Sequence, residues 1–429
     1  MRILQVNTFD VGGGAEMVAS RLHASYRQAG NRARLAVKKK LGDDPDVFAI
    51  PETGAFLKAS TAIGSLRLPG CGLLGQVLRD AARPGARGNR SRGIEDFDFP
   101  STRTLAERSD ILQCHNLHGN YFDLCALPVL SRALPVVLTL HDSWMLSGHC
   151  AHSFDCTRWK TGCGACPDLG IYPAVKSDST AYNWRRKQDI YTGSRLYVAA
   201  PSNWLMERVE QSMMMPGIVE RRVIGNGIDD CFFQAADGGG VRRSLGIADD
   251  AKVLLFAANT IRENEWKDYN TLRGAIERVA NKLGGQEVVL IALGDNGPEE
   301  KIGDVRLCFV PFQRDPAKVA AYYRAADVYL HAARVETFSL TIAEAMACGT
   351  PVVATSVGAV PERVGKDTGM LVSPGDEEAM ASATVRLLTD GDLCRKLGAN
   401  AERLAVSAYR AETQAQAYLD WFREILESR

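Results

Sequence analysis

The sequence has no long hydrophobic run and no excess of charge of either sign. Its 429 residues contain 51 lysines and arginines against 51 aspartates and glutamates, whereas nucleic-acid-binding domains usually carry a basic excess. No apolar run approaches the roughly 20 residues that a membrane-spanning helix needs. We therefore expect a protein that binds no nucleic acid and has no transmembrane helix.

The amino terminus also lacks the apolar core and the cleavage site of a signal peptide. Met1–Asn7 reads instead as a short strand that soon meets polar residues. We therefore expect a cytoplasmic protein. Because 429 residues are too many for one ordinary hydrophobic core, the length favours two domains.

A glycine-rich stretch near the amino terminus is not a dinucleotide-binding fingerprint, because Met17 stands where the third glycine would be. Arg2–Asn7 predicts a strand, Gly12–Glu16 (GGGAE) a turn, and the residues from Met17 to about Gln28 a helix. Strand, glycine-rich turn and helix open a doubly wound α/β unit. The alternative is that these glycines form only a tight turn.

Cysteine is clustered rather than spread along the chain. Four of the eleven cysteines follow the spacing C-x5-C-x6-C-x2-C, namely Cys150, Cys156, Cys163 and Cys166. In a reduced compartment such a cluster favours a structural zinc site over disulfides, and His149 or His152 could replace one ligand. The alternative is a set of free thiols in an apolar loop.

Histidines follow two predicted strands of the first half. Ile111–His115 and Pro135–His141 read as buried strands, with His118 and Asp142 just beyond them. Parallel strands place ligands at their carboxyl ends. His141 is therefore a site candidate, although a single histidine is more often structural.

Two glutamates flank a predicted helix start in the second half. Asp327–Ala333 predicts a buried strand, Ser339 is a suitable N-cap, and Leu340–Ala347 has a helical pattern. Glu336 precedes this helix and Glu344 lies within it. The N-terminus of a helix favours the binding of an anion such as a phosphate. A phosphate site flanked by two carboxylates that bind hydroxyls matches the layout of a nucleoside diphosphate sugar. The alternative is a buried helix that carries Glu344 as a surface carboxylate.

The stretch Arg334–Ser356 (RVETFSLTIAEAMACGTPVVATS) resembles the E-x7-E segment of glycosyltransferase family 4, a family of retaining enzymes. The resemblance implies that Glu336 meets the donor sugar and that Glu344 binds the ribose. Family members often have EGFGLP where this chain has Glu336–Thr341 (ETFSLT). Side chains replace both glycines, so the sugar preference cannot be carried over.

Other stretches match the same family. Gly13–Glu16 resembles its opening GGAE turn, Gly358–Glu362 resembles its G-G-x-x-E turn, and Arg262 and Lys267 match its diphosphate-binding cations. Arginine and lysine suit a diphosphate, although both could be ordinary surface charges. The resemblance implies catalytic roles for His141, Glu336, Arg262 and Lys267, and donor binding by Gly13, Gly14, Glu16, Arg262, Lys267, Pro311, Phe338, Ser339, Leu340 and Glu344.

The implied architecture is the α/β GT-B fold, with two doubly wound Rossmann-like domains facing across a cleft. We place the acceptor-side domain at residues 1–214 and the nucleotide-sugar-binding domain at 215–410. Val223–Asp229 resembles the family's IPNGVD, which opens the second domain. The helix at about 411–429 is expected to pack back onto the first domain.

The implied activity is that of a retaining, hexosyltransferase-type glycosyltransferase of bacterial polysaccharide or glycoconjugate biosynthesis. It would move a sugar from a UDP- or GDP-sugar to a glycan or lipid-linked acceptor, with a possible peripheral contact to the inner membrane face. No Asp-x-Asp pair lies where a metal-bridged enzyme would need one, so no cofactor is expected for catalysis. Two alternatives stay open: a nucleotide-sugar epimerase, and a non-catalytic nucleotide-sugar-binding protein.

A basic stretch in the first half has two interpretations. Arg83, Arg87, Arg90 and Arg92 lie among glycine, proline and serine residues. They form either a solvated loop or a basic lip that meets an anionic acceptor or a membrane surface.

Overall fold

The computed structural model describes residues 1–51, 92–95, 99, 102, 106 and 108–429. Of the basic stretch, Arg83, Arg87 and Arg90 lie outside the described residues, and Arg92 is exposed. The chain divides into two units. No helix in the described part of the chain has the length and apolar character needed to cross a bilayer.

The first unit is built on a seven-stranded sheet with strand order β3-β2-β1-β4-β5-β6-β7, in which every pair is parallel. Its strands are β1 Arg2–Phe9, β2 Arg32–Lys39, β3 Val47–Ala49, β4 Ile111–Cys114, β5 Val136–Thr139, β6 Leu196–Ala200 and β7 Ile218–Val223. The α-helices of this part of the chain are α1 Gly14–Gln28, α2 Leu127–Ala133, α3 Thr180–Thr192 and α4 Asn203–Glu210.

The second unit has its own seven-stranded sheet, with order β10-β11-β9-β8-β12-β13-β14 and one antiparallel pair, β10 with β11. Its strands are β8 Lys252–Ala257, β9 Val288–Leu293, β10 Glu300–Ile302, β11 Val305–Val310, β12 Val328–His331, β13 Val352–Thr355 and β14 Gly369–Val372. The α-helices of this part of the chain are α5 Gly238–Ser244, α6 Tyr269–Leu283, α7 Pro316–Ala325, α8 Leu340–Ala347, α9 Glu377–Thr389, α10 Gly391–Ala408 and α11 Ala411–Glu427. The predicted pair of doubly wound Rossmann-like units is confirmed.

The central strands are mostly apolar and buried because helices cover both faces of each sheet. In β8, Val253 and Leu255 enter the core on one face, whereas Leu254 and Phe256 enter the core on the other. This double burial explains why the strands could be recognised as continuous apolar runs in the sequence.

The division between the units differs from the predicted boundary after residue 214. The first unit continues to Val223 because β7 pairs with β6 at the edge of the first sheet. It also contains Tyr418–Arg429, the end of α11. There the ring of Phe422 lies 5.8 Å from that of Tyr26, so the carboxyl-terminal helix is part of the core of the first unit.

The strand order fixes where a ligand can bind in each unit. In the first sheet the order reverses between β1 and β4, and in the second sheet it reverses between β8 and β12. Open parallel sheets bind ligands outside the carboxyl ends of the strands at such a reversal. The residues that follow these four strands therefore form the candidate sites.

Candidate active site

The end of β12 carries a cluster of charged and polar side chains in the second unit. His331 is the last residue of β12, and its Nε2 lies 3.2 Å from Glu336 Oε1. The Lys267 ammonium pairs with the same carboxylate oxygen. A backbone bridge between Lys267 and Ala333 holds the lysine beside this loop. The structure thus joins two predicted site residues, Lys267 and Glu336, through one ion pair.

The charge states in this cluster follow from burial and neighbouring charge. Burial raises the pKa of Glu336, but the Lys267 ammonium and the His331 hydrogen bond outweigh it and hold that pKa well below its ordinary value. Burial, with a smaller contribution from Lys267, lowers the pKa of His331 to about 4. At neutral pH, Glu336 is therefore ionised and His331 is neutral, with Nε2–H donating to the carboxylate.

Ser339 occupies the predicted N-cap position of α8 but does not act as a cap. Its φ is 67°, in the left-handed region, and its side chain makes no capping hydrogen bond within the described residues. Ser339 Oγ lies instead 3.3 Å from Thr341 Oγ1 and 3.5 Å from His331 Nε2. A left-handed residue favours glycine, which explains why the family often has glycine here.

Glu344 lies inside the second unit rather than on its surface. Its exposed fraction is 6%, and the Tyr323 hydroxyl donates to Glu344 Oε2 over 3.0 Å. The alternative of a surface carboxylate is therefore wrong. The reason is that α8 packs into the core, with both Ile342 and Met346 fully buried beside it.

The turn at Gly358 holds the backbone of Glu336 in place. Ala359 N–H donates to the Glu336 carbonyl oxygen over 2.9 Å. Gly358 has a φ of 54°, and a Cβ atom at this position would lie 2.0 Å from that oxygen. Only glycine fits there without moving Glu336.

Replacing Gly358 with alanine is therefore expected to lower the free energy of unfolding by about 2 kcal/mol and to reduce catalysis, because the new methyl group displaces Glu336. Urea denaturation and an activity assay would measure both effects. Gly365→Ala is the matched control, since among the described residues its Cβ would meet only Thr368 Oγ1, at 4.0 Å. Equal stability of the two variants would contradict the role of the turn.

Arg262 is paired with a different carboxylate from Lys267. Its Nε donates to Asp295 Oδ2, just beyond β9, over 3.2 Å. Its guanidinium lies 4.6 Å from the centre of the Phe309 ring. The two predicted diphosphate-binding cations are thus anchored at the ends of separate strands of the same sheet.

Three other predicted donor-binding residues take different positions. Pro311 is exposed beyond β11, and its carbonyl accepts from Gln313 Nε2 over 2.8 Å. Leu340 begins α8 and is half-buried. Phe338 is 2% exposed and packs 4.1 Å from the Arg363 guanidinium. The Phe338 side chain therefore belongs to the core, which leaves only its backbone for ligand contact.

The predicted site residues of the first unit lie at the start of α1. Gly13 is the N-cap of this helix, Gly14 is its first residue, and Glu16 lies in its first turn. Burial raises the pKa of Glu16, while the nearby His118 charge lowers it and Asp142 raises it. Glu16 therefore faces the residues that follow β4 and β5.

A histidine–aspartate pair lies beside a cavity in this unit. His118 Nε2 and Asp142 Oδ2 are 3.1 Å apart. Burial raises the pKa of Asp142, but His118 and other partners hold it below its ordinary value. The cavity has a volume of about 360 Å³ and is lined in part by His118, Trp144 and Tyr172. A lining that combines aromatic residues with a few polar and charged ones is typical of a small-molecule site.

His141 is placed at the carboxyl end of β5, as predicted, but it is not alone. Its Nε2 lies 2.9 Å from His115 Nδ1, and the two rings are nearly coplanar at an angle of 16°. Burial lowers the pKa of His141 to about 4. The structure therefore presents His141 as a neutral imidazole that is bound to a second histidine.

The cysteine cluster does not form a metal site among the described residues, where no group of three His, Cys, Asp or Glu side chains is placed to hold an ion. Cys163 Sγ accepts from Gly148 N over 3.3 Å, and Cys166 Sγ lies 3.4 Å from His149 Nε2. Cys150 and Cys156 are half-buried free thiols. The zinc site stays a prediction.

Sequence reasoning missed the side chains that hold the site glutamates. His331 binds Glu336, and Tyr323 binds Glu344. A histidine at the end of the apolar run Asp327–Ala333 was a usable signal, because it follows the same rule that selected His141. Tyr323 gave no signal, since its contact joins two different helices.

Comparison with known proteins adds independent findings. Residues 251–390 match the family model described as glycosyl transferases group 1. The chain is 24% identical over 336 residues to an Escherichia coli K12 protein provisionally named a colanic acid biosynthesis glycosyl transferase, covering 73% of this chain and 76% of the relative. It is 35% identical over 195 residues to a D-inositol 3-phosphate glycosyltransferase of Actinosynnema mirum, covering 42% of this chain and 46% of the relative.

A solved structure matches the whole chain. The Anabaena protein HepE, in complex with UDP and glucose, superposes with a TM-score of 0.64 at 20% identity and covers 99% of both chains. At this identity the likeness shows the fold.

The relatives define the chain as a glycosyltransferase, and the solved structure shows that it has the GT-B fold. The matched region 251–390 contains both glutamates of the E-x7-E motif. The resemblance to glycosyltransferase family 4 is thereby confirmed.

Proposed function

We propose that the second unit binds a nucleoside diphosphate sugar and that the enzyme transfers the sugar with retention of its anomeric configuration. The observation that carries this proposal is the buried cluster of Lys267, Glu336 and His331 at the strand-order reversal of the sheet. The HepE structure, which holds UDP and glucose, supports UDP as the nucleotide.

The residues of the cluster have complementary tasks in this reaction. The leaving diphosphate gains negative charge, and preorganised positive groups stabilise it best. Lys267 supplies one such group, Arg262 a second, and the start of α8 adds backbone N–H groups that the Ser339 hydroxyl does not cap within the described residues. Glu336 holds the Lys267 ammonium in position through the ion pair and also contacts the hydroxyls of the sugar. Glu344 receives the ribose.

The first unit supplies the acceptor side. The cavity beside His118 has a volume of about 360 Å³, at the lower end of the usual range for ligand pockets. Tyr172 is 47% exposed at this cavity and offers an aromatic face. We infer a glycan or lipid-linked acceptor, in line with the polysaccharide assignment of the E. coli relative. A lipid-linked acceptor would bring the enzyme to the inner face of the cell membrane.

A thermal-shift screen against UDP, GDP, ADP and their glucose, mannose and galactose conjugates tests the donor proposal. A ligand that binds only the native state must raise the melting temperature, so we expect a clear shift with one nucleotide. Proton NMR of the product formed from that donor then reads its anomeric configuration. No shift with any nucleotide, or an inverted product, would overturn the proposal.

The zinc site is proposed on the spacing of Cys150, Cys156, Cys163 and Cys166 alone. Four closely spaced thiolates bind zinc in a tetrahedral arrangement, and a zinc ion held in this way would stabilise the loop that follows β5. Elemental analysis of the purified protein is expected to find about one zinc per chain, and Cys163→Ser is expected to release it. A metal-free native protein would contradict the proposal.

A further inference from the structure

Two buried side chains, Gln5 and His115, form a chain of contacts that leads to His141 from inside the first sheet. Gln5 Nε2 lies 3.3 Å from the Ala19 carbonyl oxygen and 3.2 Å from His115 Nε2. His115 Nδ1 in turn lies 2.9 Å from His141 Nε2. Gln5 and His115 are 0% and 3% exposed, so solvent does not compete for these bonds.

The Ala19 carbonyl decides the orientation of the Gln5 amide. A carbonyl oxygen only accepts hydrogen bonds, so the Gln5 atom that faces it must be the NH2 group. The same NH2 group faces His115 Nε2, which must therefore accept and carry no proton. Gln5 Oε1 meanwhile has no hydrogen-bond partner in the described part of the chain. The amide keeps this orientation although it leaves a buried oxygen unpaired.

The positions of the protons follow along the chain. Burial lowers the pKa of His115 well below its ordinary value, so the ring is neutral and carries its one proton on Nδ1. His115 Nδ1–H then donates to His141 Nε2, which must accept. Two other groups act on His141 electrostatically, and they oppose each other: Asp142 raises its pKa and His118 lowers it. These two groups also bind each other, with His118 Nε2 3.1 Å from Asp142 Oδ2.

We propose that Gln5 and His115 are positioning residues that hold His141 as a neutral imidazole with its proton on Nδ1. In this form His141 donates a hydrogen bond through Nδ1, and its Nε2 is unable to act as an acid or a base. Which nitrogen of a histidine carries the proton is set by the bond that the other nitrogen makes. The functional part rests on the proposed sugar transfer, in which His141 contacts the reacting sugar as a hydrogen-bond donor.

The tautomer can be measured without any substrate. Long-range proton–nitrogen NMR of protein labelled with 15N-histidine distinguishes Nδ1–H, Nε2–H and imidazolium forms, and the chain has only 7 histidines. His115→Phe and His141→Phe spectra would assign the two signals. We expect both rings to be Nδ1–H tautomers at pH 7. An Nε2–H or imidazolium signal for His141 would overturn the proposal.

Gln5→Met tests the role of the amide, because methionine has a similar shape and donates no hydrogen bond. We expect His115 and His141 to shift towards the Nε2–H form and kcat for transfer to fall about tenfold, with donor affinity unchanged. Gln113→Met is the matched control. Gln113 is an equally buried glutamine on β4, and its partners are the Tyr26 and Thr139 hydroxyls rather than a ring nitrogen.

The outcomes separate this proposal from the proposed function. Nδ1–H tautomers that survive Gln5→Met, or equal kcat losses in the two methionine variants, would overturn the positioning role. A different result is possible, in which the tautomers are the expected ones but the protein transfers no sugar from any donor of the screen. That result would overturn the proposed function and leave the assignment of His141 intact.

Discussion

Replacing Lys267 with methionine is expected to slow sugar transfer by about 100- to 1,000-fold, which is the usual loss when one preorganised group at a developing charge is removed. Lys267 pairs with Glu336, the residue proposed to meet the donor sugar, and its side chain is only 12% exposed. Steady-state kinetics at saturating donor would show the change in kcat.

The Lys267 variant also leaves the largely buried Glu336 carboxylate with the His331 hydrogen bond but no positive partner among the described residues, which costs about 3 kcal/mol of stability. A Lys267→Met, Glu336→Gln double variant removes both charges, so it should recover the stability but not the activity. Lys282→Met is the control for losing a lysine, because Lys282 pairs with Glu378 on the exposed surface. Transfer by the stable double variant within tenfold of the parent would show that the cluster is structural.

Glu344→Gln is expected to weaken nucleotide binding by about 10- to 100-fold, because a hydrogen bond to a charged group contributes about 1.5–3 kcal/mol. Glutamine is preferred to alanine here, since its side-chain oxygen can still accept from the Tyr323 hydroxyl at this buried site. Isothermal titration with the nucleotide selected by the thermal-shift screen would measure the affinity.

Tyr323→Phe is the control for this substitution. It removes the hydroxyl that binds Glu344 Oε2 and leaves the carboxylate in place. We expect its nucleotide affinity to stay within about threefold of the parent, because only the support of the carboxylate changes. A Glu344→Gln protein that binds the nucleotide as tightly as the parent would contradict ribose recognition by this residue.

The sequence predicted the fold well because the fold depends on local patterns. The central strands are mostly apolar, since both faces of each sheet are covered. The turn at Gly12–Glu16 and the helix Leu340–Ala347 also have the expected bounds within a few residues. Where the prediction differed, at the boundary between the units, the cause was nonlocal: β7 pairs with β6 of the first sheet.

The candidate site was only partly predictable. The spacing of Glu336 and Glu344 identified the segment, but it left open whether Glu344 is exposed. Burial depends on how α8 packs, and this packing brings Tyr323 to the carboxylate. Similarly, the sequence identified Ser339 as an N-cap, whereas its left-handed backbone turns the hydroxyl towards His331.

The sequence by itself determined the order of strands, turns and helices, the two-unit plan and the identity of most charged residues near the site. Only the tertiary structure decided which of them meet. Lys267 binds Glu336, and Gln5 reaches His141 through His115, because strand order and register bring separate segments of the chain together. Such contacts join residues that are far apart in the sequence, so local sequence patterns do not predict them.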